Sequence, residues 1–223
     1  MIFLREDIRS IFDLQKTYDM LNKKYFKNEL KKYPLAWMRS SKTLGVCEAK
    51  VVVQGKEIIR LSKIERIKIS NFYELTYEQF EAIMAHEMIH ALLLQRGILN
   101  DYGGTHGLEF TKEMDKLRKM GIPVTKTEDP MELAVSSHVK GKTVYGITFV
   151  SGTTSLVQFF SKESEAEKAA EYYKSRRYKD IQTFVTNNPK VSSSFRIFKS
   201  FDVARRSGSY RVTPEVDKLI TGK

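Results

Sequence analysis

Thr76-Tyr77-Glu78-Gln79-Phe80-Glu81-Ala82-Ile83-Met84-Ala85-His86-Glu87-Met88-Ile89-His90-Ala91-Leu92-Leu93-Leu94-Gln95-Arg96-Gly97 is the stretch that decides the fold of this 223-residue chain. Its start is marked twice: Thr76 followed by Gln79 makes a capping box, and Leu75 and Phe80 are spaced for a hydrophobic staple. Phe80, Ile83, Met84, Ala91 and Leu94 form an apolar stripe, Arg96 suits the C-terminal dipole, and Gly97 can take the left-handed conformation that ends a helix. The segment therefore reads as one buried helix. Histidines four apart on a helix project from one face, so His86 and His90 point the same way, with Glu87 beside them within reach of a metal-held water.

Such strings also arise by chance, and a histidine pair on an apolar face can be hydrogen-bonded core. The next block decides for metal. Asp101-Tyr102-Gly103-Gly104-Thr105-His106-Gly107 brings a third histidine after a Gly-rich turn, which leaves only His138 elsewhere in the chain. A catalytic zinc takes three protein ligands and keeps a fourth position open, so His86, His90 and His106 are the expected ligands of one Zn2+. Glu109 and Glu113 lie close enough in sequence to keep a glutamate third ligand as the variant, ranked below His106. Imidazole sites also accept other divalent metals. His138 has no partner ligand near it and reads as a surface or hydrogen-bonded histidine. Tyr102 is a candidate oxyanion donor on loop position alone, with packing the stronger reading.

These blocks resemble the SprT-like zinc metalloproteases, the family of Spartan-type DNA–protein crosslink proteases. His86-Glu87-Met88-Ile89-His90-Ala91 and His106-Gly107-Leu108-Glu109-Phe110 are similar to the family's two metal blocks. Tyr25-Phe26-Lys27-Asn28-Glu29-Leu30, Leu44-Gly45-Val46-Cys47 and Ile59-Arg60-Leu61-Ser62 are similar to its first helix end and two strands, in the same order. The resemblance covers about the first 125 residues. It implies an α+β class, with a zincin-like domain of helices packed on a small, mainly antiparallel sheet, and hydrolysis of proteins bound or crosslinked to DNA. It also makes Glu57 to Ser62 the candidate edge strand that receives substrate as an added strand. The fifteen residues between His90 and His106 set the chain apart from metzincins, whose third histidine follows within the same short motif.

Composition bounds the rest. Hydrophobic residues make up 41% and charged residues 29% of the chain, enough for a real core. No apolar run approaches the ~20 residues of a membrane helix, and Met1-Ile2-Phe3-Leu4-Arg5-Glu6-Asp7 is too charged for a signal peptide. An intracellular protein without membrane contact, cytoplasmic or nucleoid/nuclear, is expected. The single cysteine, Cys47, excludes an intrachain disulfide and a Cys-rich zinc ribbon and reads as core packing.

Along the chain, a helix is expected over about Asp7 to Lys27, packed under the motif helix. Short strands follow at Leu35 to Arg39, Leu44 to Val53 and Glu57 to Ser62, with a turn at Gln54-Gly55-Lys56. A further helix should run from Gly107 to about Met120. The polar segment Thr125-Lys126-Thr127-Glu128-Asp129-Pro130 separates a protease domain, residues 1–125, from a small α+β module, residues 131–223. In the module, Val144 to Val150 and Leu156 to Phe160 read as a hairpin and Glu163 to Tyr178 as a helix. Ile181 to Val185, Phe195 to Phe201 and Tyr210 to Thr213 read as strands, giving a ββαββ-like unit with a turn at Ser192-Ser193-Ser194.

The module departs from the SprT-like pattern in lacking the cysteines of a zinc ribbon, the family's usual DNA contact. It is strongly basic instead: from Met131 onward sixteen Lys and Arg face nine Asp and Glu, +7 of the chain's +11. Lys174, Arg176, Arg177, Lys179, Arg196, Lys199, Arg205, Arg206 and Arg211 are interleaved with aromatic residues, as in single-strand binders, and are the candidate DNA contacts. Three functions follow. The first is a zinc endopeptidase acting on DNA-bound proteins, with single-stranded DNA the favoured partner. The others are a protease aimed at one protein partner without DNA, and a nucleic-acid-binding protein with a structural zinc.

Overall fold

In the computed structural model, which describes residues 8–54, 57–99, 106–126 and 133–221, the first helix is broken. Helix α1 covers Ile8–Ile11 and α2 covers Leu14–Tyr25. The break is local chemistry: the Asp13 carboxylate accepts from the Lys16 N–H at 3.0 Å and caps α2, so the chain restarts its helix there. Strands β1 (Leu35–Met38), β2 (Gly45–Gln54) and β3 (Glu57–Ser70) form a sheet in the order β1-β3-β2. β2 and β3 are antiparallel over ten registered pairs and β1 pairs parallel with the end of β3 over four, so the sheet is mainly antiparallel, as expected, with one parallel pairing at its edge. β3 runs eight residues past Ser62, through a stretch whose alternation is disturbed by irregularities in its pairing with β2. The expected turn residues Gly55 and Lys56 lie outside the described residues.

Helix α3 (Tyr77–Gln95) begins at the Thr76 cap: Thr76 accepts from the Gln79 N–H, and the Gln79 side chain accepts from the Thr76 N–H. It is buried nearly all round, not along a stripe, which makes it the core of the domain. The predicted left-handed residue after it is found, with Gly97 at φ 76°. Helix α4 (Leu108–Lys119) follows His106 and stops before Gly121, at φ 95°. Arg96 clasps Glu29 through two 2.6 Å bonds and Glu113 at 3.0 Å, tying the end of α3 to α4 and to the loop after α2.

The chain divides into two compact units, Met1–Ser137 and His138–Lys223. The first extends past the polar segment because Val135 bridges to Tyr73. In the second, β4 (Val144–Ser151) and β5 (Thr154–Phe160) make the expected hairpin around Gly152, followed by α5 (Glu163–Ser175) and β6 (Lys179–Thr186). The remainder departs from the ββαββ expectation. Short helices α6 (Pro189–Ser194), α7 (Phe201–Ser207) and α8 (Pro214–Thr221) alternate with two-residue strands β7 (Ile197–Phe198) and β8 (Tyr210–Arg211). The expected Ser192–Ser194 turn is the end of α6, which Asn188 caps and Pro189 opens. Alternate sheet residues feed two clusters, one around Ile147, Phe149 and Phe160 and the other around Val144, Val157 and Phe159. No helix among the described residues is long and apolar enough to cross a membrane.

Candidate metal centre

Three imidazoles converge on one point. His86 and His90 come from the middle of α3, His106 from the residue preceding the Gly107 cap of α4, and one ring nitrogen from each lies within 4.8 Å of the others. The His86 Nε2 is 3.3 Å from His90 Nε2 and 3.1 Å from His106 Nε2. Ligand atoms held tetrahedrally about 2.0–2.1 Å from an ion stand about 3.3 Å apart, so this spacing fits a zinc-sized ion. The tautomer fits too. His86 Nδ1 lies 2.8 Å from the Thr125 carbonyl oxygen, which can only accept, so Nδ1 carries the proton and Nε2 offers a lone pair. Phe110 is fully buried against all three rings, at centroid distances of 4.8, 4.6 and 4.4 Å.

The glutamate variant of the third ligand loses its ground, because Glu109 is paired with Lys112 and Glu113 with Arg96 and Lys116. Tyr102 lies outside the described residues. His138 stands outside the cluster, as expected, at the start of the second unit.

Glu87 is only 6% exposed. Burial pushes its carboxyl up to about 8, partly offset by the backbone N–H of Cys47, which donates to it. Gly45 makes the room: a Cβ there would stand 2.6 Å from Glu87 Oε1 and 2.7 Å from its Cγ. The start of β2 thus holds the acid, through one residue's missing side chain and another's amide. Burial of the thiol pushes Cys47 itself up to about 12, which suits a packed cysteine and not a nucleophile. The strand expected to lie beside the site does not. Glu57 to Ser62 pairs with the far end of β2, opposite Val51 to Gln54, roughly 20 Å along the strand from Gly45 at ~3.3 Å per residue. β2 itself is the edge strand that reaches the site.

Burial also lowers His86 to about 4 and His90 to about 3. With folded values below their ordinary 6.5, both bind fewer protons folded than unfolded between those values and 6.5, so stability of the metal-free chain rises with pH there. Glu87 acts oppositely from about 4.5 to 8, where the folded chain holds the extra proton. Of these three groups, the two histidines outweigh the glutamate below 6.5, and Glu87 alone acts above it. Melting temperature in a chelator should therefore peak near pH 6.5 and decline towards pH 8, and in Glu87→Gln the decline should vanish.

The nine candidate DNA contacts are all exposed. The structure brings two of them together: Arg176, just past α5, and Arg205, on α7, each lie 5.5 Å from the ring centre of Tyr172. Arg196 covers Phe198 at 5.1 Å. The aromatics interleaved with these cations are committed: Tyr173, Phe198 and Phe201 are buried, and Tyr172, Tyr178, Phe195 and Tyr210 pack against the two clusters. These aromatics are thus buried or half-buried, while the cations of the same runs are exposed.

Sequence reasoning missed the part of Thr125, which it placed in a linker, and of Phe110, which it quoted in the second metal block without a role. It also missed the space-making role of Gly45; none of the three carries a side chain that advertises metal chemistry. A sequence profile of the SprT-like family matches residues 14–128. No curated protein gives a match. The matched span runs from the start of α2 past α4 and includes the three histidines, Glu87, Gly45 and Thr125, and on that span, more than half of its length, the chain belongs to the SprT-like family, whose members are metalloproteases.

Proposed function

We propose that the chain is a zinc-dependent endopeptidase that cleaves DNA-bound or DNA-crosslinked proteins inside the cell, with His86, His90 and His106 as ligands and Glu87 as general base. The observation that carries this reading is the meeting of three imidazoles beside a buried carboxyl that opens to the same cavity as His86. Bound there, the ion supplies positive charge that acidifies water, polarises a scissile carbonyl and draws Glu87 towards its charged form. Glu87 takes the proton from the attacking water and passes it to the leaving amine. Cys47 N–H and the gap at Gly45 aim the carboxylate, while Thr125 and Phe110 fix the rings. A substrate backbone added along β2 would be held by main-chain hydrogen bonds largely indifferent to sequence, which suits an enzyme facing varied proteins.

Charge supports a DNA-directed role for the second unit. From His138 onward it carries sixteen Lys and Arg against eight Asp and Glu, whereas the first unit is nearly balanced, twenty-two against nineteen. With the cations exposed and the aromatics buried or half-buried, contact would run mainly through phosphates, which both single strands and duplexes offer. DNA binding should then weaken steeply with salt, and reversing Arg176 and Arg205 to Glu should cost roughly tenfold or more in affinity at low salt. Fluorescence anisotropy with labelled oligonucleotides measures both. Salt-independent or absent binding would favour the partner-directed protease, a reading that the packed aromatics keep alive. Cleavage of a basic DNA-binding protein by the zinc-loaded chain, with and without single-stranded DNA, tests the whole proposal: Glu87-dependent cutting that rises with DNA is expected.

A further inference from the structure

Beside the histidines, within the first unit, lies a cavity of about 210 Å³. Leu44, Ala82 and Ile83, all buried and apolar, line it together with Thr43 and Thr125, and Gly45, His86 and Glu87 bring it to the metal centre. Its rim carries two lysines, Lys42 from the loop before β2 and Lys126 from the segment that follows Thr125, both exposed. Among the described residues neither lysine has an ion-pair partner. The volume exceeds the ~150 Å³ that suffices for a benzene ring, so the cavity accepts a large side chain. Two cations at the mouth of an apolar pocket raise the local concentration of negative charge and repel positive charge.

We propose that this cavity is a substrate side-chain subsite, taking a large apolar or aromatic residue next to the scissile bond, and that Lys42 and Lys126 select an acidic residue beside it. The inference rests on the protease reading, since the subsite is defined by its nearness to Glu87 and His86. It adds a preference to a backbone-held substrate: the strand contact is indifferent to sequence, and the cavity is not. Leu44, Ala82 and Ile83 disfavour a charged side chain, whose burial against them would strip its water. The rim lysines act only on neighbours that stay in solvent, so their effect is moderate and salt-sensitive.

The test is the cleavage-site profile of the full, zinc-loaded chain on a mixture of peptides of known sequence, read by mass spectrometry, with Glu87→Gln as the blank. Large apolar residues should be enriched at one position flanking the cut, with Asp or Glu enriched next to it. The double variant Lys42→Glu/Lys126→Glu should shift the ratio of acidic-flanked to basic-flanked sites by roughly tenfold towards basic, less at high salt. Binding of acidic-flanked and basic-flanked peptides to zinc-loaded Glu87→Gln gives the same comparison without turnover, and circular dichroism and metal content verify that the rim variant folds. Glu87-dependent cleavage with a flat profile, or a profile that the rim reversal leaves in place, would overturn the subsite and leave the protease reading standing. No cleavage above the blank by a zinc-loaded chain would overturn both.

Discussion

Glu87→Gln should keep the metal and lose roughly a hundred- to ten-thousand-fold in cleavage rate, the span typical of a general base. The substitution is close to isosteric, and the amide oxygen can still accept from the Cys47 N–H, so the fold has no reason to change. The three ring nitrogens that would hold the ion belong to other residues. What disappears is a group able to take a proton. His86→Ala and His106→Ala should behave differently: each removes a ligand, and zinc content after dialysis should fall well below one per chain, with activity lost as a consequence. Metal analysis beside a peptide assay separates the two classes. A Glu87→Gln chain that cuts at the normal rate would remove Glu87 from the mechanism, whatever the metal content.

The part of the site that could be read in the sequence is the part written in short-range spacing. Histidines four apart on a helix with a marked cap share a face by geometry alone, and Thr76 and Gln79 fix where that helix starts. His106 was readable because histidine is scarce here and the block stands a loop away. What could not be read depends on contacts between residues far apart in the chain. Gly45 faces Glu87 across forty-two positions and Thr125 bonds His86 across thirty-nine, and nothing in a glycine or a backbone carbonyl shows which side chain will arrive there. The strand errors have a related cause. The β3 extension to Ser70 lies beyond irregular pairing that breaks the two-residue period, and β1 joins by a parallel pairing that no local turn announces. In the second unit, phenylalanines and tyrosines crowd the segment Phe195 to Tyr210, and an apolar run that short fits a strand or a brief helix equally well.

Gly45→Ala should lower the cleavage rate roughly a hundredfold while leaving zinc content at one per chain, the lower end of what losing a general base costs. The backbone at Gly45 is not left-handed, so the substitution carries no conformational strain; the effect is space. The added Cβ would meet Oε1, Cγ and Cδ of Glu87 at 2.6, 2.7 and 2.9 Å. Contacts that close are not absorbed by moving the tip of a side chain, because Cγ sits near the root of the glutamate on a helix buried nearly all round. Either the carboxylate swings away and gives up the Cys47 N–H, or β2 retreats from α3, at the ~1–3 kcal/mol that overpacking commonly costs. Neither needs the imidazoles to move first, since the three atoms nearest the new methyl group all belong to Glu87. Two further measurements tie the loss to Glu87 and not to general damage. Added to Glu87→Gln, the alanine should cost little further activity, because the group it displaces is already inert. In chelator, the decline in stability from pH 6.5 to 8 should shrink, because a carboxyl pushed towards solvent returns to its ordinary range and no longer holds a proton there. An alanine that instead subtracts the same activity from wild type and from Glu87→Gln would show that Gly45 serves the sheet alone, and that the carboxylate is aimed by something other than the start of β2.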